Sequence, residues 1–324
     1  MTVGLVYDPI YLEHDTGDHV ENSGRLEAVM ALLEQSGLAQ KLTRIAPRPA
    51  TVEELCLVHT ARHLELLEHA ATGNGHWLDG DTFASPASYR VALYAAGGVL
   101  SAIDAIMAGE VERAFALVRP PGHHATATRA MGFCLFNNLA VGARYLMQKH
   151  GLSRVLIADF DVHHGNGTEA LFYDNPAVMY FSTHQYPHYP GTGARGDDGA
   201  GEGKGFTINV PLPAGTTDTE YKQAYEEVLL PAARSFRPEF VLVSAGYDPH
   251  WADMLSGFRI TVSGFAGVVS LVKQLADEVC QGRLLLSLEG GYHPVALAHS
   301  IRASLEVLLD QEPGPDPLGP PPRF

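Results

Sequence analysis

The stretch that most constrains this chain runs from Val155 to Gly167 and joins an apolar run to a cluster of acids and histidines. It begins with Val-Leu-Ile-Ala, which has no polar alternation, as expected of a strand buried on both faces of a parallel sheet. Asp159, Asp161 and His163 follow, and Gly-Asn-Gly closes the stretch with residues typical of turns. Because open α/β sheets bind ligands just beyond the carboxyl ends of their strands, the stretch predicts a functional site.

A metal site is one interpretation of this stretch. Asp161 and His163 are two residues apart, so in an extended chain their side chains point to the same side. A carboxylate oxygen and an imidazole nitrogen together are ligands typical of zinc and other divalent ions. Asp248, which follows the apolar run 240–244, is the expected third ligand. The alternative is that these acids cap helices and bind no metal.

Apolar runs that end in polar loops alternate with helical patterns along the whole chain, and two further runs end at Arg119 and Glu289. This alternation predicts a single α/β domain with a doubly wound, mostly parallel sheet, in which the four loops meet at one rim. We place the domain at residues 1–311. The proline-rich residues 312–324 are expected to form a tail without helix or strand, either mobile or draped over the surface.

The composition excludes several classes of function. The net charge of -15, from 37 acidic and 22 basic residues, argues against a nucleic-acid-binding surface. The three cysteines are far apart, so a disulfide framework is not expected. The N-terminus does not resemble a signal peptide, and no apolar run approaches the roughly 18 to 20 residues that span a bilayer. We therefore expect a cytoplasmic protein without nucleic-acid or membrane partners.

His123 and His124 form an adjacent pair in a loop that contains two prolines. Two histidines at the predicted rim, beside a candidate metal site, fit proton transfer better than they fit core packing. Asp159 and Asn166 are available as partners for the second ring nitrogens. A carboxylate raises the basicity of its histidine, whereas an amide only orients it. The two imidazoles could therefore have different pKa values. Their positions leave open which histidine takes which role.

Several other residues are candidates for the rim of the site. Tyr292 follows two glycines, and its phenol could donate a hydrogen bond to a developing oxyanion, although an ordinary rim aromatic is the alternative. Phe133 and Tyr189 could wall an apolar channel or belong to the core. Four further histidines are expected at the surface or in a supporting layer: His164, His184, His188 and His250.

Six segments, spread in this order over about residues 14–309, together resemble the histone deacetylase family. They are Arg119-Pro-Pro-Gly-His-His124, Gly132-Phe-Cys134, Asp159-Phe-Asp-Val-His-His-Gly-Asn166, Pro190-Gly-Thr-Gly193, Ser244-Ala-Gly-Tyr-Asp248 and Glu289-Gly-Gly-Tyr292. The resemblance implies the arginase-deacetylase fold. It also implies a zinc-dependent amidohydrolase that removes acyl groups from lysine side chains or related amines.

The resemblance implies ligands for two kinds of cation. Zinc would be bound by Asp161, His163 and Asp248. A structural potassium ion would be bound next to them by main-chain oxygens and a serine, at the positions of Asp159, Asp161, His163, Ser182 and Thr183.

The resemblance also implies catalytic roles. His124 would be the general base and acid, and His123, paired with Asp159, would assist electrostatically. Tyr292 would polarise the scissile carbonyl. Asn166 stands where class I members usually have aspartate, so the chain resembles class II and bacterial members more closely.

The substrate channel can be placed by the same resemblance. Phe133 and Tyr189 would sandwich the acyl-lysine chain, and Gly132 precedes Phe133 in the same motif. Arg25 would lie by an interior cavity linked to acetate exit. Leu255 stands where polyamine-selective relatives carry a glutamate, and an uncharged residue there weakens the polyamine interpretation.

Three alternative functions remain at this stage. An arginase-like dimetal hydrolase needs further carboxylates, which Asp248-Pro-His250 does not supply. An acetylpolyamine amidohydrolase is the nearest functional alternative. A non-catalytic acyl-lysine or metal-binding module is the third, and the pair of histidines argues against it because binding needs no proton shuttle. The acyl length, the natural substrate and the oligomeric state remain open.

Overall fold

The computed structural model of the protein describes residues 2–322. Its strands are β1 (Val3–Val6), β2 (Thr43–Ile45), β3 (His76–Trp77), β4 (Phe83–Ala84), β5 (Arg113–Ala116), β6 (Val155–Asp159), β7 (Val178–Gln185), β8 (Thr207–Leu212), β9 (Phe240–Ala245) and β10 (Leu284–Leu288). Its α-helices are α1 (Gly24–Gln35), α2 (Val52–Leu55), α3 (Ala61–Ala70), α4 (Ser88–Met107), α5 (Asn138–His150), α6 (Asn166–Phe172), α7 (Asp218–Ala224), α8 (Leu230–Phe236), α9 (Val262–Cys280) and α10 (Pro294–Leu308). A π-helical turn, Tyr225–Leu229, joins α7 to α8.

Eight strands form one sheet in the order β2-β1-β5-β10-β9-β6-β7-β8, and every neighbouring pair is parallel. β3 and β4 form a separate antiparallel hairpin. Asp159, at the end of β6, is in register with Ser182 on β7 and with Ser244 on β9. The structure therefore confirms the predicted single-domain α/β fold with a parallel sheet, and it places the carboxyl ends of the central strands side by side.

Helices flank the sheet and cover its apolar strands. β6, β9 and β10 are buried along their whole length, which explains why their sequences are continuous apolar runs rather than alternating ones. α4 and α5 pack against each other, α4 against β1 and β5, and α5 against β6 and β9. α9 packs against α10, and α10 against α1. This arrangement leaves the loops at the carboxyl edge free to form a site.

By length and composition alone, α4 could cross a membrane. It has 20 residues, a mean hydropathy of 1.4 over its most apolar window, and 67% of that window is buried within the protein. An apolar run of this length was not expected from the sequence. Because α4 packs against β1, β5 and α5, burial in the core accounts for its composition.

Two local predictions need correction. The Gly-Asn-Gly segment was predicted as a turn, but α6 begins at Asn166 within it. Strands β2, β3 and β4 were not predicted, because two or three residues are too few to show a periodicity.

The tail expected at 312–324 can be followed as far as residue 322. Residues 312–322 contain no helix or strand. Asp316 Oδ2 accepts a hydrogen bond of 3.2 Å from the backbone N–H of Val262 at the start of α9. Trp251 donates its indole N–H to the carbonyl of Gly319 at 3.1 Å. The described part of the tail is thus draped over the loop that follows β9, and the last two residues of the chain lie outside the described part.

Candidate active site

The loops that follow β5, β6, β9 and β10 meet around one cavity of about 440 Å³ at the carboxyl edge of the sheet. Of the candidate residues from the sequence, those that line it are His123, His124, Gly132, Phe133, His163, Tyr189, Leu255 and Tyr292. Asp161 and Asp248 are fully buried beneath this lining.

The bend after β6 comes from the side chains of its own aspartates. Asp159 Oδ1 accepts a hydrogen bond from the backbone N–H of Asp161 (3.1 Å), and Asp161 Oδ1 accepts one from that of His163 (2.9 Å). Each carboxylate thus caps the residue two positions ahead, which turns the chain. Asp161 and His163 converge because of these turns, not because the chain stays extended as the sequence analysis assumed.

Asp161, His163 and Asp248 form a compact group of metal-ligand type, with one candidate ligand atom from each within 4.8 Å of the others. His163 Nδ1 lies 3.0 Å from Asp161 Oδ1 and 3.2 Å from Asp248 Oδ2. Asp248 Oδ1 accepts a hydrogen bond from the backbone N–H of Val162 (2.9 Å), but Asp248 Oδ2 is buried without a hydrogen bond of good geometry from any residue in 2–322. An oxygen left in this way, between a second carboxylate and an imidazole, fits a cation ligand.

The charges in this group also require a cation. Burial raises the pKa of Asp248 to about 7, and the charge of Asp161 raises it in the same direction. Burial lowers the pKa of His163, but its close contacts with the carboxylates of Asp161 and Asp248 outweigh burial and raise the pKa to about 10. Two buried carboxylates are therefore stabilised either by a proton on His163 or by a metal ion in its place.

His123 and His124 have different partners, as the sequence allowed. Nδ1 of His123 lies 3.1 Å from Asp159 Oδ2, and Nδ1 of His124 lies 2.8 Å from Asn166 Oδ1. Burial lowers the pKa of His123, but the charges of Asp159 and Asp161 outweigh burial and raise it to about 10. Burial lowers the pKa of His124 well below its usual range, and the charges of His123 and His163 lower it further. At neutral pH His123 is thus protonated and His124 is neutral, so the pair offers one acid and one base.

Arg25 and Asp253 hold Tyr292 in place. The guanidinium carbon of Arg25 lies 4.9 Å from the centre of the Tyr292 ring, and Arg25 Nε donates to the carbonyl of Gly291 at 2.7 Å. The backbone N–H of Tyr292 donates to Asp253 Oδ2 at 2.6 Å. Burial raises the pKa of the Tyr292 phenol well above its usual range, so the phenol stays a hydrogen-bond donor.

Aromatic side chains form the walls of the cavity. The Phe133 ring is perpendicular to the Tyr292 ring at 5.7 Å, and the Tyr189 ring is perpendicular to the His124 ring at 5.2 Å. Gly132 has a φ of +55°, and a Cβ there would lie 2.3 Å from Cδ2 of His124. Only glycine allows the wall to approach the histidine so closely.

His188 has a role in the site that the sequence did not reveal. Its ring stacks on the ring of His163 with 5.1 Å between centroids, and Nε2 donates to the carbonyl of Leu255 at 3.0 Å. His188 therefore joins the loop after β7 to the loop after β9, which no local sequence signal predicts. The other three histidines were expected at the surface or in a supporting layer, and none is at the surface; those fully buried are His164, His184 and His250.

Comparison with known proteins gives consistent matches along the chain. A family model described as histone deacetylase domain matches residues 19–308. Histone deacetylase 14, chloroplastic, from Arabidopsis thaliana is 39% identical over 318 residues, which cover 93% of this chain and 75% of that protein. A probable deacetylase from Archaeoglobus fulgidus is 38% identical over 295 residues, or 90% of this chain and 82% of that protein. Polyamine deacetylase HDAC10 from Homo sapiens is 40% identical over 313 residues, or 93% and 46%. The crystal structure of the HDA15 HD domain matches with a TM-score of 0.91 and 37% identity, covering 97% of this chain and 91% of that chain.

Proposed function

This chain belongs to the histone deacetylase family, and from that premise we propose that it is a zinc-dependent amidohydrolase that removes acetyl or other acyl groups from lysine side chains or related amines. One observation carries the proposal: a buried group of metal-ligand type lies at the same cavity as two histidines whose pKa values are shifted in opposite directions. Such a combination suits hydrolysis, because it places charge stabilisation and proton transfer at the same point.

Zinc would be held by Asp161, His163 and Asp248. The donor set supports this, since two carboxylates and one imidazole leave zinc an open position, as catalytic zinc sites require. Bound zinc would supply Lewis-acid chemistry, polarising the substrate carbonyl and making a water a better nucleophile. The backbone N–H of Val162 supports the site by donating a hydrogen bond to Asp248 Oδ1. This leaves Asp248 Oδ2 facing His163, without a hydrogen-bond partner among residues 2–322.

His124 is the proposed general base and acid. It is neutral at pH 7 because burial and the charge of His123 lower its pKa well below the usual range. In the reaction it takes a proton from the attacking water as the bond from oxygen to the carbonyl carbon forms. It then gives that proton to the amine nitrogen as the C–N bond breaks, so the products are the carboxylic acid and the amine, and the proton of the acid then passes to the amine or to solvent. His123, protonated beside Asp159, stabilises the negative charge that develops on the way.

Tyr292 is the proposed donor to the carbonyl oxygen. Its phenol stays protonated, and Arg25 and Asp253 hold its ring and backbone in place. Phe133 and Tyr189 wall the cavity, and we assign them to the aliphatic chain that carries the acyl group. An aliphatic chain between aromatic rings matches the mostly apolar character expected of such a channel.

We also propose a structural potassium ion beside the zinc ligands. Asp159 and Ser182 are register partners on β6 and β7, and Thr183 Oγ1 lies 3.4 Å from the carbonyl oxygen of Asp159. Main-chain oxygens of the bend from Asp159 to His163 would complete the ligand set. Thermal unfolding in KCl against the same concentration of tetramethylammonium chloride tests this, since only a potassium site makes the melting temperature depend on KCl at constant ionic strength.

An acetylated polyamine is the second candidate substrate. The similarity to a human polyamine deacetylase favours it, and so does Asp81, a carboxylate that lines the cavity. Leu255 argues against it, because its position in the lining carries no charge to attract a second ammonium group. The ratio of kcat/KM values for acetylspermidine and for an acetyl-lysine peptide decides between the two.

The experiment that tests the proposal compares zinc-loaded wild type with His124→Ala and Tyr292→Phe on an acetyl-lysine fluorogenic peptide. We expect activity in the wild type and losses of at least about 100-fold in each variant, because each removes a proton-transfer or oxyanion-stabilising group. Asp310→Asn, an exposed side chain beyond α10, is the matched control and should retain full activity. A zinc-loaded wild type that cleaves neither acetyl-lysine, acetylpolyamine nor longer acyl substrates would favour the binding-module alternative.

A further inference from the structure

A row of buried polar side chains crosses the sheet beneath the catalytic loops. Ser287 on β10 is in register with Ser244 on β9, which is in register with Asp159 on β6. Register partners on adjacent strands point to the same face of a sheet. Glu289 extends the row, because its backbone N–H donates to Ala245 O and continues the strand pairing, and it is two residues beyond Ser287. These polar side chains are all nearly inaccessible to solvent.

Glu289 holds the backbone of the histidine loop. Its Oε2 accepts hydrogen bonds from the backbone N–H groups of Gly122, at 2.6 Å, and His123, at 3.1 Å. The side chain of His123 is held separately by Asp159. The histidine pair is therefore positioned from both its backbone and its side chains. This precision matters because a displacement of about 1 Å in a catalytic group can lower a rate roughly 100-fold.

The second oxygen of Glu289 lacks a partner in this arrangement. Glu289 Oε1, Ser244 Oγ and Ser287 Oγ are buried, and none of them has a hydrogen bond to any atom of residues 2–322. The register partner of Ser287 on its other side is Ala116, which offers no polar side-chain atom. Buried polar groups nearly always find a partner, since leaving one without a hydrogen bond destabilises the fold. A buried water commonly makes about three hydrogen bonds, which matches these three atoms.

A water suits Glu289 in either protonation state. Burial raises the pKa of Glu289 to about 7, so both states are populated near neutral pH. The ionised carboxylate needs a donor at Oε1, and the protonated acid needs an acceptor there. Water supplies both, and the hydroxyls of Ser244 and Ser287 can rotate to match it.

Building on the proposed hydrolytic function, we propose that Glu289 is a positioning residue for the reaction, and that a buried water shared with Ser244 and Ser287 holds its carboxylate against the amides of the histidine loop. Glu289 does not line the cavity; it acts through His123.

Two substitutions at Glu289 test the positioning role. Glu289→Gln keeps an oxygen that accepts both amide hydrogens and an amide group that donates to the water, whereas Glu289→Ala removes both. We expect kcat within about threefold of wild type for the Gln variant, and a loss of at least about tenfold for the Ala variant. KM should stay within about twofold in both, because Phe133 and Tyr189 still form the channel. Equal losses in the two variants, or wild-type kcat in the Ala variant, would overturn the role.

The hydration site has its own tests. The double variant Ser244→Ala/Ser287→Ala should lower kcat at least about threefold, since it removes two of the three groups that hold the water. Ser300→Ala is the matched control: this serine is also buried with a hydroxyl that lacks a partner among residues 2–322, but it belongs to α10 and not to the row of polar side chains across the sheet, so its kcat should match wild type. A high-resolution crystal structure should show a water within about 3 Å of all three atoms. A dry site, with the three side chains bonded to one another, overturns the proposal.

Hydrogen exchange separates this proposal from the proposed function. Amides of Gly122 and His123 should exchange faster in Glu289→Ala than in wild type, and at the wild-type rate in Glu289→Gln. If wild type hydrolyses no acyl substrate, the proposed function fails, and exchange together with the crystal structure still decides whether Glu289 and its water hold the loop. Unchanged exchange in the Ala variant would refute the positioning role whatever the activity.

Discussion

Mild acid should destabilise this fold through His59. This histidine is remote from the metal group, and it supports the loop after His124. Nδ1 of His59 lies 2.9 Å from the carbonyl oxygen of Thr126, and its Nε2 accepts a hydrogen bond of 2.9 Å from the backbone N–H of Asn137. Both nitrogens are thus satisfied only in the neutral tautomer with the proton on Nδ1. A second proton, on Nε2, would face the Asn137 N–H, and burial with the nearby charge of His63 lowers the pKa of His59 to about 3.

The sign and size of the effect follow from the lowered pKa. Well above pH 6.5 both the folded and the unfolded chain carry a neutral His59, so the residue adds almost no pH dependence there. As the pH falls below 6.5, His59 of the unfolded chain binds a proton, whereas His59 of the folded chain stays neutral until the pH falls to about 3. For an unfolded pKa of 6.5, linkage gives a loss of about 2 kcal/mol at pH 5.0 and below about 0.1 kcal/mol at pH 7.5.

Urea denaturation of wild type and His59→Gln at pH 7.5 and 5.0 measures this contribution. The variant has no proton to bind, so the difference in unfolding free energy between it and wild type should shift by about 2 kcal/mol in favour of the variant at pH 5.0. Phe136→Leu is the control, since Phe136 packs against His59 at 5.4 Å but does not titrate. Its difference from wild type should be the same at both pH values. A pH-independent difference for His59→Gln would refute the reasoning.

Three further predictions concern the cavity. Gly290→Ala should weaken zinc binding at least about tenfold while the far-UV circular dichroism stays unchanged, because its Cβ would lie 2.2 Å from Asp248 Oδ2; a zinc-competition titration measures this. Leu255→Glu should raise kcat/KM for acetylspermidine relative to acetyl-lysine about two- to fivefold, the gain expected of one exposed ion pair, and an unchanged ratio would contradict it. Asn166→Asp should raise the pKa of His124 by at least about one unit, because a carboxylate would replace the amide 2.8 Å from its ring. The acidic limb of the kcat/KM profile should then move to higher pH, since His124 must be neutral to act as the base.

The sheet and most of the cavity lining could be predicted because they depend on local signals. Buried parallel strands are continuous apolar runs, and their polar ends share one edge, so Asp161, His163 and Asp248 could be grouped from sequence alone. Asp161 and His163 do come together, but strand parity is not the cause, since the aspartates turn the chain. Short polar side chains that cap their own backbone are a local signal that could have shown this.

The remaining features depend on which strands are neighbours. Glu289 reaches the amide of Gly122 across 167 residues of chain because β10 lies beside β5 in the sheet. Chain order does not give this adjacency, so Glu289 was visible only as part of a motif. His188 was missed because its hydrogen bond to Leu255 joins loops that are 67 residues apart, after β7 and β9, which have β6 between them in the sheet.

The central claim is that one metal ion at Asp161, His163 and Asp248 sustains hydrolysis of an acyl amide. Its most direct test is to titrate zinc into metal-free protein and to measure bound zinc and acetate release from an acetyl-lysine peptide in the same samples. We predict that release rises in proportion to bound zinc and levels off at one ion per chain. In Asp248→Asn, tight binding and release should be lost together. Release by the metal-free protein, or one tightly bound zinc per chain with no release, would contradict the account.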